Sequence, residues 1–225
     1  MAAAHVGLTT ENSNDASGTT MTVTRTVTAG NALIVQVAWA NNVTCSVNHG
    51  DGTYTSARKQ DVGTTDHLEV FYFLNSTGGA KTITATFSAG ATFRRMNGHE
   101  VSGLAASGVL DQTNGATGNG TALSAGNITT TQNDEYLYAG FSHFVTATFT
   151  EGTGWTPAGT PGPDGFNEYR IPTATGTFTG NCTASATADW IAIVASFKAE
   201  VAAGFDEGEW SPRGTELEPV VSVWG

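Results

Sequence analysis

The sequence predicts an all-β protein, an antiparallel two-sheet β-sandwich built from two quasi-repeated halves. Three observations carry that prediction. Apolar residues alternate with Thr and other small polar residues in several runs, the period of a half-buried strand. No sustained helical period occurs along the chain. The order of the strand-like runs in the first half recurs in the second at offsets of about 96 to 104 residues, far longer than the periods of solenoids and propellers.

The densest apolar run of the first half is Asn31-Ala-Leu-Ile-Val-Gln-Val-Ala-Trp39, between the turn Ala29-Gly30-Asn31 and the break Asn41-Asn42. It reads as a central strand with Leu33, Val35, Val37 and Trp39 on one face and Ile34, Gln36 and Ala38 on the other. Before it, Thr20 to Val27 alternates, placing Met21, Val23 and Val27 inward with Arg25 among them. After it come Val43 to Val47, a tight turn at Asn48-His-Gly-Asp-Gly-Thr-Tyr54, and Asp66 to Leu74, whose second half is apolar on both faces. Lys81 to Phe87 and Phe93 to Val101 complete the first half as two strands.

A Gly- and Asn-rich connection over 105–121 is expected to hold one short strand near Val109 and Leu110. The echo then begins. Ile128 to Thr131 and Asp134 to Phe141 repeat the Thr-rich and central strands, Tyr169-Arg-Ile repeats Tyr72-Phe-Leu, Thr177 to Ala186 repeats Lys81 to Phe87, and Asp189 to Phe197 repeats Phe93 to Val101. Two such sets stack as facing sheets, in a jelly-roll or related sandwich. Trp155 to Gly165 holds half of the six prolines and is expected to be a surface loop. The organisation is therefore an extended arm over 1–18, one sandwich over 19–201 with quasi-halves 19–104 and 122–201, and an extended tail over 202–225.

Composition restricts function. The net charge of -11, with only nine Lys and Arg, lacks the electrostatic footprint of a nucleic-acid groove or an anionic membrane patch. No apolar run approaches the ~20 residues of a spanning helix. The opening Met1-Ala-Ala-Ala-His-Val-Gly has no basic region followed by an apolar core, so synthesis and retention in a cytoplasm are expected until something releases the protein. Cys45 and Cys182 read as two separate buried thiols, with a bridge between the sheets as the lesser alternative.

No catalytic motif is present: there is no Gly-x-Ser-x-Gly elbow, phosphate loop or dinucleotide fingerprint. A glycoside hydrolase would need two carboxyls about 5 to 9.5 Å apart, for which Glu69, Glu100, Glu135 and Asp189 are the candidates, Glu69 sharing a strand face with His67, Phe71 and Phe73. His5, His49, His67, His99 and His143 have no metal spacing. The turn Asn48 to Asp51, or Asp61 with Asp66, offers oxygens for calcium, but turn formation explains them without an ion. No catalytic, cofactor or metal residue is assigned. Aromatic residues in loops, Tyr54, Trp155, Phe166 and Tyr169, form a possible glycan-binding set, against the commoner alternative of rim packing.

The tail is the most informative stretch. From Glu200 onward six acids face one Arg, yet Phe205, Trp210, Leu217, Val220, Val221, Val223 and Trp224 are strung among them. Such side chains gain nothing from exposure, so they are expected to dock on a partner, with an added strand through Val220 to Trp224 as one mode and folding back over the sandwich as the rival.

Thr28 to Trp39, Asn48 to Tyr54, Lys81 to Phe87 and His99-Glu-Val-Ser-Gly-Leu104 resemble jelly-roll-like β-sandwich modules of bacteriophage virion proteins and bacterial surface proteins over roughly residues 19 to 200. These are strand patterns, so the resemblance carries over no site residue. It implies a non-enzymatic virion structural protein, a capsid decoration or cement protein first and a tail or fibre component next, assembled in the host cytoplasm. Its partners would be further copies of itself or other virion proteins, the major capsid or tail protein. Both the N-terminal arm and the tail are expected to clamp neighbours. A carbohydrate-binding module of a phage fibre or cell-surface protein is the alternative.

Overall fold

The computed structural model describes residues 2–9, 11–159 and 162–201. Among them the chain is strand and turn without helix. The first lobe contains β1 (Ala4–Leu8), β2 (Asn12–Asn14), β3 (Gly18–Val27), β4 (Ala32–Ala40), β5 (Cys45–His49), β6 (Gly52–Thr53), β7 (Thr55–Val62), β8 (Asp66–Phe73) and β9 (Gly79–Ser102). The second contains β10 (Leu110–Thr129), β11 (Tyr136–His143), β12 (Phe149–Thr150), β13 (Thr156–Pro157), β14 (Gly165–Arg170) and β15 (Thr177–Phe197). Every pairing is antiparallel.

Each lobe is one sheet. The first runs β6-β5-β9-β4-β8-β7, with β1, β2 and β3 also on β9; the second runs β10-β15-β11-β14-β13, with β12 on β15. The quasi-repeat extends to register. Ala32 faces Val101 as Tyr136 faces Phe197; Leu33 faces Phe73 as Leu137 faces Arg170; Arg25 faces Lys81 as Thr129 faces Thr177; Cys45 faces Phe87 as Phe149 faces Ala184.

The central run is β4, and both of its faces are buried. Leu33, Val35, Val37 and Trp39 pack into a first core with Met21, Val23, Val47, Ile83, Phe87 and Met96. Ile34 and Ala38, on the opposite face, pack into a middle core with Leu68, Val70, Val101, Tyr136, Tyr138, Ile191, Ile193 and Phe197. A third core inside the second lobe gathers Leu123, Ile128, Leu137, Phe141, Phe166, Trp190 and Val194. The two sheets do face each other, as expected, but each sheet also folds over on itself to bury its other face. β9 makes the fold possible: its first part pairs with β3 and β5, its second with β4, β1 and β2, so the two wings enclose the first core.

Several expectations are corrected. Lys81 to Phe87 and Phe93 to Val101 are one strand of 24 residues, and Thr177 to Ala186 and Asp189 to Phe197 are one of 21. The Gly- and Asn-rich connection is mostly β10, paired along β15 from Leu110 to Thr129. Its apolar content is too small to register as a strand, and the ladder with β15 supplies the partner groups its backbone needs. β7 was also missed, because Thr55 to Val62 is a polar edge strand whose Arg58, Lys59 and Asp61 suit an unpaired rim. Over its described part the N-terminal arm pairs with its own sheet: β1 and β2 lie along β9. Over its described residues the stretch from Trp155 to Asp164 is a loop apart from the two-residue edge strand β13, and Gly165 opens β14.

Glu100 ties the lobe's end together. It is 1% exposed, yet its carboxylate accepts from the Thr28 amide (2.8 Å), Asn31 Nδ2 (2.7 Å) and Arg25 Nε (2.7 Å). Burial works to raise its pKa, and these donors together hold it below the ordinary carboxylate value.

Because Ile34 points into the middle core rather than either lobe's own, Ile34→Ala is expected to cost about 2–5 kcal/mol. Denaturant unfolding should show this as a lower midpoint of a single transition; a loss below about 1 kcal/mol, or separate unfolding of the lobes, would contradict the shared core.

Candidate functional site

The four candidate acids do not converge. Glu69 faces Val37 across β4 and Glu100 faces Leu33, four residues away, or ~13 Å at the strand rise, besides lying on opposite sides of β4. Glu69 accepts from Ser56 Oγ at 2.6 Å, and burial raises its pKa. Glu135 is buried and accepts from the amides of Thr131 and Gln132, and Asp189 accepts from Asn119 Nδ2. Asp51, in the turn proposed for calcium, accepts from Ser76, Thr77 and Lys81 Nζ (2.7 Å), which with Lys81 foremost pull its pKa down strongly. Among the described residues no group of three or more His, Cys, Asp and Glu is placed to hold a metal. Cys45 and Cys182 are free thiols, one against the first core and one within the third.

The aromatic set proposed for glycans is mostly interior. Tyr54 packs on His49 and Phe73, Trp155 donates from Nε1 to the Thr179 carbonyl, and Phe166 stacks between Phe141 and Phe149; all three are buried. Their neighbouring Gly and Pro residues suggested loops, but the rings turn inward to close the ends of the cores. Tyr169 alone stays half-buried, stacked on His5 at 4.4 Å. The seven tail residues Phe205, Trp210, Leu217, Val220, Val221, Val223 and Trp224 lie outside the described residues.

Two cavities among the described residues border these candidate residues. The first, of about 650 Å³, is an open groove along the second sheet, lined by Thr156, Tyr169, Arg170, Thr173, Thr175 and Phe178. The Arg170 guanidinium lies 4.7 Å from the centre of the Phe178 ring, and among the described residues it has no salt-bridge partner.

The second, of about 200 Å³, is a cleft where the lobes meet, lined by Trp39, Asp66, His67, Phe93, Arg95, Ser142, Phe144 and Asp164. Equivalent positions of both lobes reach it: Trp39 faces His67 in the first lobe, and the His143 amide donates to the Asp164 carbonyl at 2.8 Å in the second. Phe93 is its most unusual wall. Ala38 faces Arg95 while Ala40 faces Thr92, so β9 carries one extra residue there, a β-bulge. Phe93 adopts φ +47° within that bulge, a conformation that costs a bulky residue roughly 1–3 kcal/mol, and its ring is nevertheless 60% exposed.

Polar ties surround the cleft. Arg95 forms a two-pronged pair with Asp164 of the other lobe (2.7 and 2.6 Å) and also reaches Asp15 at 2.8 Å. His67 Nδ1 lies 2.6 Å from Asp61, and its Nε2 3.1 Å from the Asn41 carbonyl. Deeper between the lobes, Tyr138 Oη and Asn167 Nδ2 donate to Gln36 Oε1 (2.7 and 2.8 Å), and Asn97 Nδ2 donates to Asn167 Oδ1 (2.6 Å). Glu11 borders this belt; burial, then the Asp164 charge, pushes its pKa up to about 7. Phe93 and Phe144 were missed as site residues because only the bulge and the meeting of two strand ends expose them. The one signal in the sequence is Phe93-Arg-Arg95 in a chain with few cations.

Comparison with protein-family models, with curated proteins and with solved structures finds no match for this chain.

A second buried acid gives a pH test. Glu168, fully buried in the second lobe, accepts from the Gly152 amide at 2.9 Å, and burial pushes its pKa up to about 7 from 4.5. The folded protein then keeps a proton that the unfolded chain releases, so stability falls as pH rises from 4.5 to about 7 and levels off above. Glu168→Gln should remove that penalty, gaining of the order of 1–3 kcal/mol at pH 8 relative to pH 4 in denaturant titrations; an unchanged slope would show the carboxyl ionises freely.

Proposed function

We propose that this chain is a non-enzymatic structural protein of a virion, a capsid decoration or cement protein first and a tail or fibre component next, which acts by binding neighbours. The observation that carries the reading is the composition of the stretch after Val201. The sandwich closes at the Leu104–Ala199 bridge and the Glu200 amide's bond to the Gly103 carbonyl, and Val201 is 78% exposed. Beyond it come two Trp, one Phe, one Leu and three Val among five acids and one Arg.

Two Trp and a Phe bury roughly 150–250 Å² each, most of the ~800 Å² that one side of a standard interface needs. A rigid two-lobe body with an acidic exterior and an adhesive strap suits a protein whose work is to hold subunits together. Removing residues 202–225 should leave the melting temperature of the sandwich unchanged and abolish co-sedimentation with assembled particles; undiminished incorporation of the shortened protein would refute the clamp.

One observation favours a second reading, a carbohydrate-binding module. The groove beside Tyr169 combines a partly exposed ring, three Thr residues and the Arg170 guanidinium on Phe178, which has no salt-bridge partner among the described residues, a set suited to a sugar bearing a carboxylate. Retention on an immobilised uronic-acid polysaccharide that Arg170→Ala abolishes would support it, and equal retention by both proteins would sink it.

A further inference from the structure

We propose that the cleft between the lobes is a receptor for one basic side chain, a lysine or arginine, presented by a partner protein. The inference is independent of whether residues 202–225 clamp a neighbour, because it rests on residues of the described body alone.

Charge is the first ground. Asp66 and Asp164 line the cleft with a single guanidinium, Arg95, whose donors are already engaged by Asp164 and by the exposed Asp15. Asp66 accepts only the Thr65 hydroxyl and has no cation within salt-bridge distance among the described residues. The neighbouring His67 faces Asp61, which Lys59 also pairs at 3.2 Å while its ammonium lies 5.4 Å from the centre of the Trp39 ring, so that cation is already engaged. The wall therefore carries surplus negative charge in a protein whose net charge is already -11.

Shape and surface supply the second ground. Phe93 and Phe144 are 60% and 38% exposed and both line the cleft, so an aliphatic stem would gain apolar contact and a cationic head would be attracted by the ring faces. A space of about 200 Å³ suits one side chain better than an oligosaccharide. The φ of +47° at Phe93 is what keeps its ring at the opening instead of in the strand's regular alternation.

Titrating the full chain with N-acetyl-arginine amide and N-acetyl-lysine amide, and following backbone amide resonances, should shift signals around Phe93, Asp66 and Phe144 with millimolar affinity. The affinity should fall by about tenfold in Phe93→Gly and in Asp66→Asn, and weaken as salt is raised. Phe93→Gly places glycine at a positive φ, so it should melt no lower than the parent, which separates lost binding from lost folding. Three results would overturn the proposal. The cationic amides could leave the cleft resonances unmoved; methyl glucoside could move them with no response to Asp66→Asn, marking a site for neutral polyols; or choline could bind while both amides do not, marking a site for a small quaternary amine.

Discussion

A strand with no solvent face governs this architecture. β4 presents apolar side chains on both sides, and each of Leu33, Ile34, Val35 and Val37 gains roughly 1.5–3 kcal/mol from full burial. One cover cannot satisfy both sides. The first lobe supplies one by folding β3, β5 and the early part of β9 over Leu33, Val35 and Val37, and the second lobe supplies the other by laying β11 and β15 against Ile34 and Ala38. β11 stands in the equivalent position in its own lobe, so the same requirement is met from both directions and the middle core is shared.

Polar residues on these buried faces select the register in which the lobes meet. Gln36 interrupts the outward face of β4, and its carbonyl oxygen collects donors from Tyr138 and Asn167 of the second lobe. A slip along the interface would strand these groups in an apolar layer, which costs more than the bonds themselves contribute. The Arg95–Asp164 pair acts similarly at the rim. Divergence between the lobes is concentrated at a few positions. Phe71 faces Val35 in the first core, whereas Glu168 faces Ala139 at the matching place in the second, so an aromatic ring has been exchanged for a carboxyl that burial keeps reluctant to ionise.

The cleft is a product of this pairing of like with like. Where β4 and β11 both end, neither lobe has strand left to cover the gap, and the walls come from Ala38 to Ala40 on one side and Ser142 to Phe144 on the other. The bulge at Phe93 belongs to β9 alone and gives an otherwise symmetric junction its own chemistry.

The all-β class, the two quasi-halves, the central role of Asn31 to Trp39 and the inward set Met21, Val23, Ile83 and Phe87 were legible in the sequence, because strand period and turn residues are local properties of a chain. β7 and most of β10 were not legible: their residues are polar, and what makes them strands is a neighbour's open ladder, which no local pattern records. The inward turn of Tyr54, Trp155 and Phe166 was hidden for the same reason, since burial depends on what lies opposite. That each sheet folds over on itself, that Gln36 meets Tyr138 and Asn167, and that Phe93, Arg95, Phe144 and Asp164 share one cleft were decided only by tertiary structure, where residues from about fifty to about 130 positions apart come within contact through sheet pairing and lobe packing.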